Sequence, residues 1–269
     1  MSSSVPAANP LETIRLAELA RIQTLLKRVA TPGARILEVG AGTGWQARAL
    51  AASGYDVAAI DIPQSNHSHA RIWPIVNFDG RLIPFSDASF DIVYSSNVLE
   101  HVPDLPTLNR EMQRVLRPGG MAMHYVPTAA WRLWSLLAFY PALGRDAWRR
   151  LGRHSPALAR HVTAVPMPPA TVAARPLWRK LTHRVVPHAH GAMGSALGEL
   201  KRFSRGAWNR YFIAAGWTIS HYEVNGLCLS GDMLLGSALS LAWRQRLARS
   251  LGSTAHLYLL KPAEKLAAR

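Results

Sequence analysis

The chain is poor in cysteine and in acidic residues, and it has no long apolar run. Cys228 is its single cysteine, which excludes an internal disulfide framework and a cysteine-rich zinc site. A lone thiol suits a reducing cytoplasm. Residues 1–10 are small and polar, with no basic segment leading into an apolar one, so no secretory signal is expected. No stretch reaches the ~18 consecutive apolar residues of a membrane-crossing helix, and none is expected. Acidic residues number 16 against 31 Lys and Arg, a formal net charge of +15. The imbalance is local. From Trp131 to Arg210, 14 Lys and Arg face only Asp146 and Glu199, a net of +12. That segment predicts an anionic binding partner or an anionic surface. With 49% apolar residues over 269 positions, one domain with an insertion is the natural organisation.

The most informative stretch present is Glu38-Val39-Gly40-Ala41-Gly42-Thr43-Gly44. It follows a strand-like run, Arg35-Ile36-Leu37, and precedes a helix-like segment, Trp45 to Ser53. Glycines there let the backbone turn from strand to helix and approach a ligand closely. Asp61 lies about 20 positions on, after the strand-like run Asp56 to Ile60, where a carboxylate can accept from both hydroxyls of a ribose. A dinucleotide fingerprint, G-x-G-x-x-G, requires a third glycine where Trp45 stands. Glu38 at the mouth of the turn would repel a pyrophosphate and attract a cation. S-adenosylmethionine has a positive ammonium, a positive sulfonium and no phosphate, and these residues favour it.

Further segments carry a family resemblance. Asp79-Gly80-Arg81-Leu82-Ile83-Pro84-Phe85, Phe90 to Val102 and Arg114-Val115-Leu116-Arg117-Pro118-Gly119-Gly120 follow the glycine turn in order. Across residues 35–127 the chain resembles the class I S-adenosylmethionine-dependent methyltransferases of the small-molecule, type 11-like kind. The resemblance implies cofactor contacts from Glu38, Gly40, Ala41, Gly42, Gly44, Asp61 and Ile62, with Asp79 and Gly80 at the adenine. It also implies Ser95, Ser96 and Asn97 in the loop below the methionine. Asp91 reads as a strand-entry residue bonding nearby backbone. Arg117 to Gly120 read as the turn that ends a helix.

The expected fold is α/β: a Rossmann-like seven-stranded sheet, parallel except for its last strand, with helices on both faces. Strands are expected at about 35–39, 56–61, 74–78, 90–95, 120–126, 217–224 and 255–260. An amphipathic helix covers 10–29, to cap the cofactor pocket or pack beneath the sheet, and a Trp-rich helix covers 129–140. Residues 144–184 read as a partly irregular cover, 205–215 as a helix ended by Gly216, and 227–249 as an apolar helix with a basic end. The organisation is then an N-terminal extension (1–30), a cofactor-binding core (31–128), a basic acceptor-covering insertion (129–210) and a C-terminal completion of the sheet (211–269).

Methyl transfer to a hydroxyl benefits from a general base, whereas a carboxylate acceptor needs none. His101, near the cofactor loop, and His188 and His190, in the cover, are the catalytic candidates. His124 and His221 read as sheet residues. Two histidines two apart invite a metal, but no carboxylate or third ligand lies near them in sequence, so no metal is expected. The expected activity is methylation of an O or N atom on a small acceptor, anionic or lipid- or sugar-linked. The apolar helices and arginines predict seating at an anionic membrane surface, on its inner, cytoplasmic face. Two alternatives remain open: a nucleic-acid methyltransferase, less favoured because no segment for a flipped base follows the fourth strand, and a non-catalytic cofactor-binding subunit. Oligomeric state is not legible.

Overall fold

The computed structural model describes residues 10–65, 67–151, 189–192, 194–229 and 239–263. In chain order the elements are α1 (Pro10–Val29), β1 (Arg35–Val39), α2 (Trp45–Ala52), β2 (Asp56–Asp61), β3 (Val76–Asn77), β4 (Phe90–Ser96), α3 (Leu105–Val115), β5 (Leu116–Pro127), α4 (Ala129–Leu151), α5 (Gly198–Arg202), α6 (Arg205–Ala214), β6 (Trp217–Val224), α7 (Leu241–Leu251) and β7 (Ala255–Pro262). The strands form one seven-stranded sheet in the order β3-β2-β1-β4-β5-β7-β6. The pairings from β3 through β5 are parallel, and β7 runs antiparallel to both β5 and β6. The order reverses between β1 and β4, so their carboxyl ends open the crevice where ligands bind in such sheets.

Alternate residues of each central strand feed opposite cores, as the period of two demands. Leu37, Val93, Ala122 and Leu260 join one cluster with Leu108 and Met112 of α3 and Trp208 and Phe212 of α6. Ile36, Ile92, Met123 and Leu259 join the other with Leu19, Ile22 and Leu26 of α1 and Leu50 of α2. Being buried on both faces explains why these strands are largely apolar rather than strictly alternating. Helix starts follow sequence signals: Asp104 caps α3 by accepting the Thr107 N–H, and Ser204 caps α6 by accepting that of Ala207. Asp91 ties strand to strand, accepting the Arg35 N–H at 2.7 Å and pairing with Arg117 at 2.8 Å.

The largest differences from the sequence reading fall at four places. The third strand shrinks to Val76–Asn77, because only its end pairs with β2. The Trp-rich helix runs through Pro141 to Leu151, so 144–151 are helical rather than irregular. Proline removes one hydrogen bond, but burial of Ala138 and Ala142 holds the helix on either side. Residues 152–188 of the expected cover lie outside the described residues. The turn at Arg117 to Gly120 belongs to β5, where the register with β4 shifts beside it; α3 already ends at Val115. The last helix begins at Leu241, capped by Ser240, so 227–229 are not helical, while 230–238 are not described.

Candidate active site

The glycine turn sits at the carboxyl end of β1, with Gly40, Gly42 and Gly44 at φ of 73°, 59° and 80°. At Gly40 this left-handed backbone coincides with close packing: a Cβ there would overlap the Val98 isopropyl group. Asp61 closes the turn from β2. Its Oδ2 accepts the Gly42 N–H at 2.9 Å and its Oδ1 accepts the Ile62 N–H at 2.8 Å. A carboxylate offers about four lone-pair directions, so two such bonds leave capacity for ligand hydroxyls.

Between the turn and the end of β4 lies a cleft of 390 Å³. Of the residues expected from sequence it is lined by Gly40, Gly42, Asp61, Ile62, Gly80, Asn97 and His101. Ser65, His67, Phe78, Val98, Val102, Pro103 and Leu108 complete the lining and were missed. All but Leu108 lie in or beside the loops that leave the strand ends, the place where such sheets bind ligands.

The other expected residues sit around this cleft. Ala41 packs beneath the turn on Ala47 and Ala59, and Gly44 is the N-cap of α2 against Trp73. Ser95 is fully buried, its hydroxyl 2.8 Å from His124 Nδ1 within the sheet, and Ser96 Oγ accepts from Asn97 Nδ2. Asp79 Oδ1 accepts the N–H groups of Arg81 and Leu82, each at 2.8 Å, which lowers its pKa and shapes its loop. Glu38 is buried, and loss of solvation pushes its carboxyl up to about 8; Oε2 has no hydrogen-bond partner among the described residues. Burial likewise pushes His124 down to about 3, which keeps it neutral as a sheet residue.

Asn97 is a junction. It holds a left-handed backbone, φ 54°, with its N–H donated to Tyr125 O at 3.0 Å. Asparagine adopts this left-handed conformation more readily than most L-residues. Asn97 also lines a second cavity of 220 Å³, together with Ile14, Arg15 and Glu18 of α1, Trp131 of α4, and His190. Helix α1 therefore both packs beneath the sheet and borders the pocket.

Three polar residues meet beside these cavities: the ligating atoms of Glu100, His101 and His190 all lie within 4.8 Å of one another. The sequence expectation that no carboxylate stands near His190 is corrected here, since 90 residues of intervening chain hide the contact. Burial lowers the pKa of both imidazoles, His190 to about 4 with His101 adding to the effect, and raises Glu100 to about 8. His188 lies outside the described residues.

A seven-stranded sheet with this strand order, a glycine turn after β1 and an acid at the end of β2 are the features of the Rossmann-like methyltransferase fold. Residues 13–222 match the family model described as "Methyltransferase domain", and the chain belongs to that family, the class I S-adenosylmethionine-dependent methyltransferases. It is 43% identical over 101 residues to an uncharacterized methyltransferase of Mycobacterium sp. (strain JLS), covering 35% of this chain and 39% of that protein. It is 33% identical over 133 residues to the malonyl-[acyl-carrier protein] O-methyltransferase of Erwinia pyrifoliae, covering 47% of each. The chain thus spans less than half the length of these curated relatives. The crystal structure of an S-adenosylmethionine-dependent methyltransferase from Mesorhizobium loti shares the fold, with a TM-score of 0.50 at 20% identity, covering 91% of this chain and 97% of that one.

The residues present fit the family's cofactor, S-adenosylmethionine. No Cβ obstructs the turn, Asp61 retains acceptor capacity, and no Lys or Arg lines the cleft among the described residues to balance a pyrophosphate.

Proposed function

We propose that this protein transfers the methyl group of S-adenosylmethionine to an O or N atom of a small anionic acceptor. The observation that carries the reading is Asn97, shared by the cofactor-sized cleft and the adjoining cavity bordered by Arg15, Trp131 and His190. Gly40, Gly42, Asp61, Ile62 and Gly80 hold the cofactor in the cleft, and the acceptor occupies the cavity. When bound, the cofactor supplies an activated methyl on a sulfonium; the protein's task is to orient the nucleophile and manage its proton.

Arg15 anchors the acceptor's negative end. Its Nη1 donates to Glu18 at 2.9 Å, and a guanidinium has five donors, so the bond to Glu18 occupies only part of it. Trp131 supplies an apolar wall. His101 and His190, whose rings are 4.7 Å apart, stand where the acceptor's reactive atom must sit. Formation of S-adenosylhomocysteine, screened across carboxylate- and phosphate-bearing acceptors and their neutral analogues, tests the reading. Turnover with anionic members is the expected result. Turnover confined to neutral compounds overturns the anionic assignment, and tight cofactor binding with no turnover indicates a regulatory subunit.

A membrane-linked acceptor is supported by α4, whose Leu133, Leu137, Tyr140 and Trp148 are exposed. No helix among the described residues is long and apolar enough to cross a membrane, so the contact proposed is peripheral. Salt-sensitive sedimentation with anionic liposomes is expected. Absence of binding at low salt removes the membrane element, and tight RNA binding in its place redirects the acceptor to nucleic acid.

A further inference from the structure

Glu100 has an environment that its fold does not explain. Its side chain is inaccessible to solvent, and neither carboxylate oxygen has a hydrogen-bond partner among the described residues. A buried carboxyl without partners costs several kcal/mol unless something compensates it. Of the neighbouring cations, Arg15 pairs with Glu18 at 2.9 Å and Arg132 with Glu199 at 2.7 Å, and neither hydrogen-bonds the Glu100 carboxylate. What does face Glu100 is a pair of imidazoles, His101 Nε2 at 3.8 Å from Oε1, and His190 within the same 4.8 Å group.

The loop carrying His190 is built against Glu100. Ala192 N–H donates to Glu100 O at 2.9 Å, and the N–H groups of His190 and Gly191 both donate to Glu199 Oε1 at 2.7 Å. Gly191 permits this approach, because a Cβ there would lie 2.5 Å from Glu100 O. Glu199 is itself buried and fixed by Arg132. Trp131 stacks edge-on against the His190 ring, centroids 4.6 Å apart. Backbone bonds thus fix the loop that carries His190 against Glu100 and Glu199, and Trp131 packs on the imidazole itself.

We infer that Glu100, His101 and His190 bind one divalent ion of the zinc type, at the border of the cofactor cleft and the acceptor cavity. Two imidazoles and one carboxylate form a donor set used by catalytic zinc sites, which keep a fourth position open. Ligand atoms around tetrahedral zinc stand about 3.3 Å apart, given bonds of about 2.0 Å, so side-chain rotation closes the present spacing. His101 lines the cleft and His190 the cavity, so the open position lies where the acceptor enters. Resting on the proposed methylation, the ion's role is to bind the acceptor oxygen or nitrogen, lower its pKa and release its proton to solvent before the methyl is taken.

The test is metal content, independent of turnover. The full chain, stripped with chelator and dialysed against Zn²⁺, is expected to retain one ion per chain by elemental analysis. Co²⁺ in its place is expected to give the visible absorption of a tetrahedral site. Glu100→Gln and His190→Ala should each weaken zinc affinity at least about tenfold, and Gly191→Ala, which keeps all three ligands, should weaken it by displacing the loop. His221→Ala should leave it unchanged. Calorimetric cofactor binding and circular dichroism establish that each variant is folded. No zinc retention by the wild type, or wild-type retention by folded His190→Ala, overturns the site. In that case the imidazoles act without a metal, and the acceptor reading stands or falls on its own assay.

Discussion

The Asp61 carboxylate accepts the Gly42 N–H at 2.9 Å, so the acid after the second strand and the glycine turn after the first are one unit. Removing the acid acts on the turn and, in the proposed cofactor site, on the ribose contact. Asp61→Ala is expected to weaken S-adenosylmethionine binding by about 1–3 kcal/mol, the cost of losing a charged hydrogen-bond partner. Asp61→Asn, which keeps an acceptor for Gly42, should lose less. Isothermal calorimetry reads both, and unchanged affinity in Asp61→Ala would refute the role.

Gly40→Ala should damage the same turn by a different route. A left-handed backbone costs an L-residue about 1–2 kcal/mol, and the new methyl meets Val98 in the loop after β4. The double variant with Val98→Ala is expected to recover the steric part and not the backbone part. Thermal melts and cofactor affinity of the single and double variants separate the two contributions. Full recovery, or none, would be inconsistent with this account.

Glu38 gives a stability prediction with a defined sign. Burial raises its carboxyl from 4.5 to about 8, so between these values the folded chain keeps a proton that the unfolded chain releases. Its stabilising contribution is complete below 4.5 and is lost as pH rises through about 8, an effect on the order of a few kcal/mol. Glu38→Gln, uncharged and of similar shape, should flatten the fall. Urea midpoints across that pH range decide it, and parallel profiles for the two proteins would exclude Glu38 as the source.

Phe212 anchors the core between the sheet and helices α3 and α6. Its ring stacks with Trp208 at 5.8 Å and tilts against Tyr258 at 4.9 Å, with no exposed area. Phe212→Ala should cost about 3–5 kcal/mol by removing apolar burial and leaving a cavity. Chemical denaturation measures it, and a loss below 1 kcal/mol would indicate that α6 contributes little to the core.

What the sequence determined by itself was local. Strands buried on both faces are largely apolar, so β1, β4 and β7 are legible as runs. The turn between β1 and α2 demands glycines, and caps such as Ser204 announce their helices. Those requirements act within a few residues, and they locate the turn of Gly40 and Gly42 after β1 and the strand end at Asp61. Ser95 reads equally well as a loop contact until the sheet pairs it with His124, because a strand's end is set by its neighbours. Only the tertiary structure joined Arg15 from α1, Asn97 from the loop after β4, Trp131 from α4 and His190 from the loop before α5 around one cavity. The same long-range packing set His190 against Glu100, a contact with no local signature, because the two residues are far apart in the chain.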